Sequence, residues 1–183
     1  MIRALLILLI LAALQEGPRE EAIRARLAAA TASPDAWQAR RREIRTQILA
    51  SVGLYPEFER PPLEPKVFGK VEGDGYTVER VVLETLPGFH LTGSLYRPKD
   101  KKGPFPAILS PHGHWKQGRF TREPMADLPA RGITFARLGF VCFMYDLVGY
   151  GDFLQVAHKW NTPAWGIGAM GVHTWNSLRA VDF

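Results

Sequence analysis

The stretch that decides the fold is Phe105–Trp115, which reads Phe-Pro-Ala-Ile-Leu-Ser-Pro-His-Gly-His-Trp. Its apolar run, Ala107–Leu109, is too short for a helix and is flanked by prolines, so it predicts a strand buried on both faces. The strand ends in a turn at Gly113, a residue with free choice of φ. Backbone N–H groups beyond such a strand lie at the carboxyl edge of the sheet, where open α/β sheets hold their sites. An enzyme that forms a tetrahedral oxyanion needs donors aimed at such a point.

The composition is that of an ordinary globular protein: 183 residues, 46% hydrophobic and 22% charged. This is enough for one domain with a core. The net charge of +5 comes from early arginines, which we interpret as a solvated helix face and not a nucleic-acid surface, because aromatic residues do not alternate with them. The single cysteine, Cys142, lies in an apolar run and predicts a small buried side chain. The early arginines are Arg24, Arg26, Arg40, Arg41, Arg42 and Arg45.

Residues 1–15 predict a signal peptide. One positive charge, Arg3, precedes the apolar run Ala4–Leu14. The run is too short to span a bilayer, which takes about 20 residues, but its length and flanks suit secretion. We therefore expect a secreted or periplasmic protein without a stable membrane span.

Residues 16–70 predict a helical extension followed by a proline-rich connector. Pro18–Ala32 is rich in Ala, Arg and Glu, and Ser33 is a suitable cap for a second helix that stops at Gly53. Tyr55–Lys70 contains four prolines and predicts an extended segment with little regular structure.

Residues 71–183 predict an α/β sheet with parallel strands. The runs Tyr76–Leu86 and His90–Tyr96 flank a Pro-Gly turn and predict a β-hairpin. The strand at Ala107–Leu109, a helix over Met125–Leu138 and a strand over Phe140–Tyr145 then predict a βαβ unit.

The last segment, Ala164–Phe183, predicts one long helix. Its candidate inward positions are Met170, Trp175, Leu178 and Val181.

The order of these motifs resembles the first half of an α/β-hydrolase. A hairpin is followed by a strand ending in His112-Gly113-His114, a helix, a strand ending at Asp146, and Gly149-Tyr150-Gly151-Asp152. Trp165–Phe183 is similar to the segment before the nucleophile strand in secreted bacterial esterases of the acetylxylan-esterase type. The resemblance covers Tyr76–Phe183. It implies serine-type cleavage of a small-molecule or polysaccharide ester, with no cofactor.

The resemblance also implies a serine within Gly-x-Ser-x-Gly, followed later by an acid and a histidine. None of the five serines has glycine at both −2 and +2. We therefore expect the front part of a hydrolase that is truncated before its nucleophile elbow and inactive alone. In the family sheet the nucleophile strand pairs beside the strand at Ala107–Ser110, so without it that strand is an open edge. The serines are Ser33, Ser51, Ser94, Ser110 and Ser177.

His114 is the candidate catalytic residue, because in the family the residue after His-Gly donates its backbone N–H to the oxyanion. Trp115 is the second choice for this donor. We expect the other candidates to bind substrate or shape the loops. They are His112, Gly113, Tyr150, Asp146 and Asp152. No partner is predicted for His90, His158 or His173.

Three other functions stay open. His112 and His114 lie on one side of a strand end and resemble the ligand pair of a metal-dependent hydrolase, although Lys116 opposes a cation. The chain is alternatively a non-catalytic binding module on a hydrolase scaffold, since fold does not fix function, or a relative of serine peptidases.

Overall fold

A computed structural model of the chain describes residues 17–159 and 166–183. The chain divides into two compact units, residues 1–50 and 51–183. The predicted signal peptide lies outside the described residues. Within the described ranges, no helix combines the length and the apolarity needed to cross a bilayer.

The described part of the first unit consists of helices, as predicted. They are α1 (Pro18–Ala30) and α2 (Pro34–Ser51). The Ser33 hydroxyl caps α2 by accepting a hydrogen bond from the Ala36 N–H at 3.1 Å, which satisfies one of the helix's free donors.

The second unit is built on a five-stranded sheet with the strand order β1-β2-β3-β7-β4. Neighbouring strands are antiparallel except for β4 and β7, which are parallel. The predicted hairpin is β2 with β3, and the βαβ unit is β4, α3 and β7, so the predicted α/β class is confirmed. The bounds are β1 Lys66–Gly73, β2 Tyr76–Leu86, β3 Phe89–Pro98, β4 Ala107–Leu109, β7 Val141–Tyr145 and α3 Leu128–Arg137.

Strand β1 was not predicted from the sequence. The expected connector continued to Lys70, whereas the strand begins at Lys66 and pairs with β2, Val67 opposite Val81. Nearly every residue of β1 is exposed. Burial therefore does not alternate along this strand. The ladder with β2 holds it instead.

Helix α3 begins later than predicted. Met125 is 97% exposed and lies in the turn between two short strands, β5 (Arg122–Glu123) and β6 (Ala126–Asp127). Asp127 caps the helix by accepting from the Ala130 N–H at 2.8 Å, which fixes its start.

The final helix, α4, spans Ala169–Asp182. The predicted start at residue 164 lies outside the described residues, and the prediction is wrong for residues 166–168. Residues 166–168 are not helical, and Gly168 is the N-cap. Met170 and Val181 are exposed and Leu178 is half-buried, whereas Trp175 is buried as predicted. The buried positions of α4 are Gly171, Val172, Trp175, Asn176, Arg179 and Ala180.

Hydrophobic clusters join the helices to the sheet. Ala180 of α4 packs with Leu95 and Phe143, and Leu128 of α3 packs with Cys142 and Met144. Both clusters centre on β3 and β7, so the core is formed around the middle of the sheet.

Strand β4 is less buried than expected. Ala107 is exposed, and Ile108 and Leu109 are only half-buried. Because β4 is the last strand of the sheet, one of its edges has no neighbouring strand among residues 17–159 and 166–183. An apolar cleft of about 530 Å³ lies along it, lined in part by Phe105 and Phe183.

Candidate active site

Two loops meet at the carboxyl ends of the parallel strands β4 and β7. Residues 112–115 follow β4, and residues 146–152 follow β7. Since β4 and β7 are parallel neighbours, the loops lie at the same edge of the sheet, where α/β proteins bind their ligands.

The buried ring of His112 ties the two loops together. Its Nδ1 lies 2.6 Å from the Gly113 carbonyl oxygen and donates to it. Its Nε2 accepts a hydrogen bond from the Leu147 N–H at 3.0 Å. Burial lowers the pKa of His112 below its usual value, so the ring is neutral, as this pattern of one donor and one acceptor requires.

The backbone of the first loop, residues 112–115, offers three free donors. Trp115 uses its N–H within the turn, donating to the Gly113 carbonyl at 3.0 Å. The N–H groups of His112, Gly113 and His114 have no acceptor in residues 17–159 or 166–183. Of these three residues only His114 is exposed. The Trp115 ring lies close against Gly113, so a side chain at position 113 would collide with it.

A buried arginine links these loops to the hairpin. Arg119 is 3% exposed and pairs with Asp146 at the end of β7 and with Asp152 at 2.5 Å. Its Nε also donates to the Ser94 hydroxyl on β3 at 3.0 Å. Burial lowers the pKa of Arg119, but a guanidinium stays charged over the physiological range, and the two carboxylates compensate the buried cation.

The Asp146 carboxylate organises the loop that follows it. Its Oδ2 accepts from the Thr92 hydroxyl at 2.8 Å and from the Asp152 N–H at 3.1 Å. Gly151 has φ +56° and packs directly on this carboxylate, so a side chain there would displace it. The loop conformation therefore depends on Asp146 and on a glycine at position 151.

Four of the five histidines gather at this site. The Tyr150 ring has centroid distances of 5.5 Å to His112, 6.1 Å to His114 and 4.7 Å to His158. His173 of α4 completes the group, 5.8 Å from His158. His90 does not belong to this group: its backbone N–H donates to Gln155 at 2.7 Å.

Two of these histidines contact the backbone of one residue of the second loop, Val148. His158 Nδ1 lies 3.0 Å from the Val148 carbonyl oxygen, and His173 Nδ1 accepts from the Val148 N–H at 3.4 Å. Burial, and then repulsion from His158, His114 and His112, lower the pKa of His173 to about 4. His173 is therefore neutral at pH 7, and its Nδ1 is available as an acceptor.

Three of the serine hydroxyls have structural partners. Ser94 accepts from Arg119, Ser33 caps α2, and Ser177 donates to the His173 carbonyl at 2.8 Å. Across residues 17–159 and 166–183, no three His, Cys, Asp or Glu side chains are placed to hold a metal ion.

Sequence reasoning missed Arg119, His158 and His173 as members of the site. Arg119 follows His112 by only a few residues, yet its partners come from β3 and from the loop after β7. Only the sheet order brings these segments together, and no local motif signals it.

No family model and no curated protein sequence matches the chain. Solved structures do. The chain is similar to methylesterase BT1017, with 32% identity and a TM-score of 0.65 over 86% of this chain and 34% of that protein. A candidate acetyl xylan esterase from Bacteroides fragilis matches with 15% identity and a TM-score of 0.61 over 82% of this chain and 44% of its own length. An acetyl xylan esterase from a Paenibacillus species matches with 18% identity and a TM-score of 0.52, over 76% and 44%.

The chain thus spans about a third to a half of the length of these solved proteins. Its fold is part of the α/β-hydrolase fold of such esterases, as the sequence motifs predicted.

Proposed function

We propose, from the α/β-hydrolase fold that this chain shares with esterases, that it forms the oxyanion-binding part of a serine carboxylic ester hydrolase. The observation that carries the proposal is the free His114 N–H at the carboxyl edge of β4 and β7. The N–H of Trp115 is already used within the turn, which favours His114 over Trp115 as the donor.

In this mechanism a serine attacks the ester carbonyl and the carbonyl oxygen becomes an oxyanion. The His114 N–H donates to that oxyanion, and the alcohol leaves to give an acyl-enzyme that water hydrolyses. His112 positions the donor through its bonds to Gly113 and Leu147. Tyr150 and the Trp115 ring would line the pocket for the acyl group or sugar.

The attacking serine would lie outside residues 1–183. No serine of the chain stands in Gly-x-Ser-x-Gly, and β4 has a free edge on which a further strand can pair. The chain alone would then be inactive. Residues 1–15 would direct export. A methyl or acetyl ester, on a small molecule or a polysaccharide, is the substrate class suggested by the names of the similar proteins.

The test compares residues 1–183 with the natural-length product of the same gene. We expect the natural-length protein to hydrolyse an aryl acetate and to keep that activity after treatment with a chelator, whereas residues 1–183 show no turnover. Turnover by residues 1–183 would contradict the position of the nucleophile. Loss of activity to the chelator would favour the metal-dependent alternative, and an inactive natural-length protein would favour a binding module.

A matched substrate pair separates esterase from peptidase. We expect the natural-length protein to cleave an aryl acetate and to leave a peptide anilide intact. Cleavage of the anilide at a comparable rate would indicate a serine peptidase.

A further inference from the structure

A second cleft lies away from the free edge of β4, on the antiparallel half of the sheet. It has a volume of about 640 Å³ and runs between β1–β3 and the segment 118–122. We call it the arginine cleft and define it by the lining residues Phe68, Arg80, Tyr96, Phe120 and Arg122. Arg119 and Asp152 also line it, so the cleft begins beside the candidate active site.

Two guanidinium groups in the arginine cleft are unpaired. Arg80 and Arg122 are exposed, and neither has a hydrogen bond or an ion pair with any residue that the structure describes. The acidic residues of the cleft form ion pairs with other arginines: Glu79 pairs with Arg97 at 3.5 Å, and Asp152 pairs with Arg119. A ligand entering the cleft therefore meets two free positive charges.

The arginines of the cleft influence the pKa values of two groups that line it, Arg119 and Tyr96. Arg80 is close enough to Arg119 to add to the lowering of its pKa, most of which comes from burial. Burial raises the pKa of Tyr96 to about 12 although Arg119 and Arg122 oppose the rise. The Tyr96 hydroxyl thus keeps its proton and stands in a positive field, where it can donate to an anion.

Two exposed aromatic rings border these charges. Phe68 is 47% exposed and Phe120 is 48% exposed. The Arg119 guanidinium lies over the Phe120 ring, 4.2 Å from its centroid, which fixes that ring in place. The C–H face of a sugar ring is apolar and packs on such a surface.

We propose that the arginine cleft binds a saccharide chain that carries carboxylate or sulfate groups. Arg80 and Arg122 pair with the anionic group, the Tyr96 hydroxyl donates to it, and Phe68 and Phe120 contact the sugar rings. An arginine fork matches the planar geometry of a carboxylate and the oxygens of a sulfate. The inference goes beyond the proposed ester hydrolysis, because binding in this cleft requires no nucleophile.

The test is calorimetric titration of the natural-length protein with four probes: a tetrasaccharide of glucuronic acid, a sulfated galactan tetrasaccharide, neutral xylotetraose and a polyglutamate of equal charge. We expect one or both anionic saccharides to bind, and at least tenfold more tightly than xylotetraose or polyglutamate. The two saccharide arms decide whether carboxylate or sulfate is the ligand.

The variants Arg80→Gln and Arg122→Gln should each weaken that binding about tenfold, as expected for loss of one charge-assisted contact. Arg131→Gln, which removes the same charge from the exposed side of α3, should leave binding unchanged. Equal loss in Arg131→Gln, equal binding of xylotetraose or polyglutamate, or no binding of either anionic saccharide would overturn the proposal.

Measuring aryl acetate turnover of the same preparations distinguishes the saccharide-binding proposal from the esterase proposal. Arg80→Gln and Arg122→Gln should turn over this small neutral ester normally, which also shows that the variants are folded. Turnover without anion binding defeats only the cleft, and anion binding without turnover defeats only the esterase.

Discussion

Single residues decide whether the loop after β4 can stabilise an oxyanion. The feature that matters at His114 is its backbone N–H, which has no acceptor in the described residues. The residue is exposed, and its ring contacts the rings of Tyr150 and His158. The ring of His112, in contrast, is fully used by hydrogen bonds to the backbone.

Removing the backbone N–H at position 114 should therefore lower kcat more than removing the imidazole ring does. In the natural-length protein we expect His114→Pro, which lacks the N–H, to lower kcat for aryl acetate by about 10²–10³-fold. His114→Ala keeps the N–H and should retain kcat within about threefold. An equal loss in both variants would assign the catalytic role to the ring.

The buried cation beneath the loops should be essential for stability. Arg119→Met leaves Asp146 buried without its counter-charge, so we expect the free energy of unfolding of the natural-length protein to fall by about 3–5 kcal/mol. Asp152 is the exposed partner, so Asp152→Asn should cost less than about 1 kcal/mol. Urea unfolding measures both values, and similar costs for the two variants would argue against an electrostatic role of Arg119.

The histidine group predicts sensitivity to acid. The folded-state pKa of His173, about 4, lies below the unfolded value of about 6.5. Unfolding therefore takes up a proton between these values, and the stability contributed by neutral His173 is complete above pH 6.5 and is lost as the pH falls from 6.5 to 4.

We expect the free energy of unfolding to fall over this range by on the order of 2–3 kcal/mol more in the parent than in His173→Asn, which has no titrating ring. His90→Asn, outside the group, should keep the parent's dependence. Parallel curves for the parent and His173→Asn would show that His173 titrates normally.

Among the elements, β4 gives the clearest prediction, which concerns association of the isolated chain. In the described part of the chain it has a neighbour on one side only, and a free strand edge pairs readily with another chain. Residues 1–183 in isolation should therefore associate as their concentration rises, which sedimentation velocity measures.

A charge on this edge should prevent the association. Ala107 is exposed on β4, so Ala107→Lys should shift isolated residues 1–183 towards the monomer. The control Ala28→Lys places the same charge on the exposed surface of α1 and should change nothing. Equal association of the parent and Ala107→Lys would mean that β4 is not the contact.

The elements differed in how well the sequence predicted them. The continuous apolar run of β7, the Pro-Gly turn between the two β-type runs of the β2–β3 hairpin, and the cap at Ser33 are local signals that predicted these elements correctly. Strand β1 gives none, because it is exposed and depends on pairing with β2. The start of α3 was misplaced because the β5–β6 turn precedes it and exposes Met125.

For the whole molecule, sequence motifs located the loops but not their connections. His112 follows β4, and Asp146 and Asp152 lie in the loop after β7, so the parallel sheet places all three at one edge. Arg119 joins the hairpin to both loops, and His173 reaches them from α4. Such contacts follow from the packing of segments distant in sequence and cannot be derived from any one of them.

The most direct test of the proposed esterase is a crystal structure of the natural-length protein inactivated by a phosphonate ester, which mimics the tetrahedral intermediate. We predict phosphorus bonded to a serine outside residues 1–183, with the phosphonyl oxygen accepting from the His114 N–H at about 2.7–3.1 Å. Phosphorus on one of the five serines of this chain, or a phosphonyl oxygen directed away from His114, would contradict it.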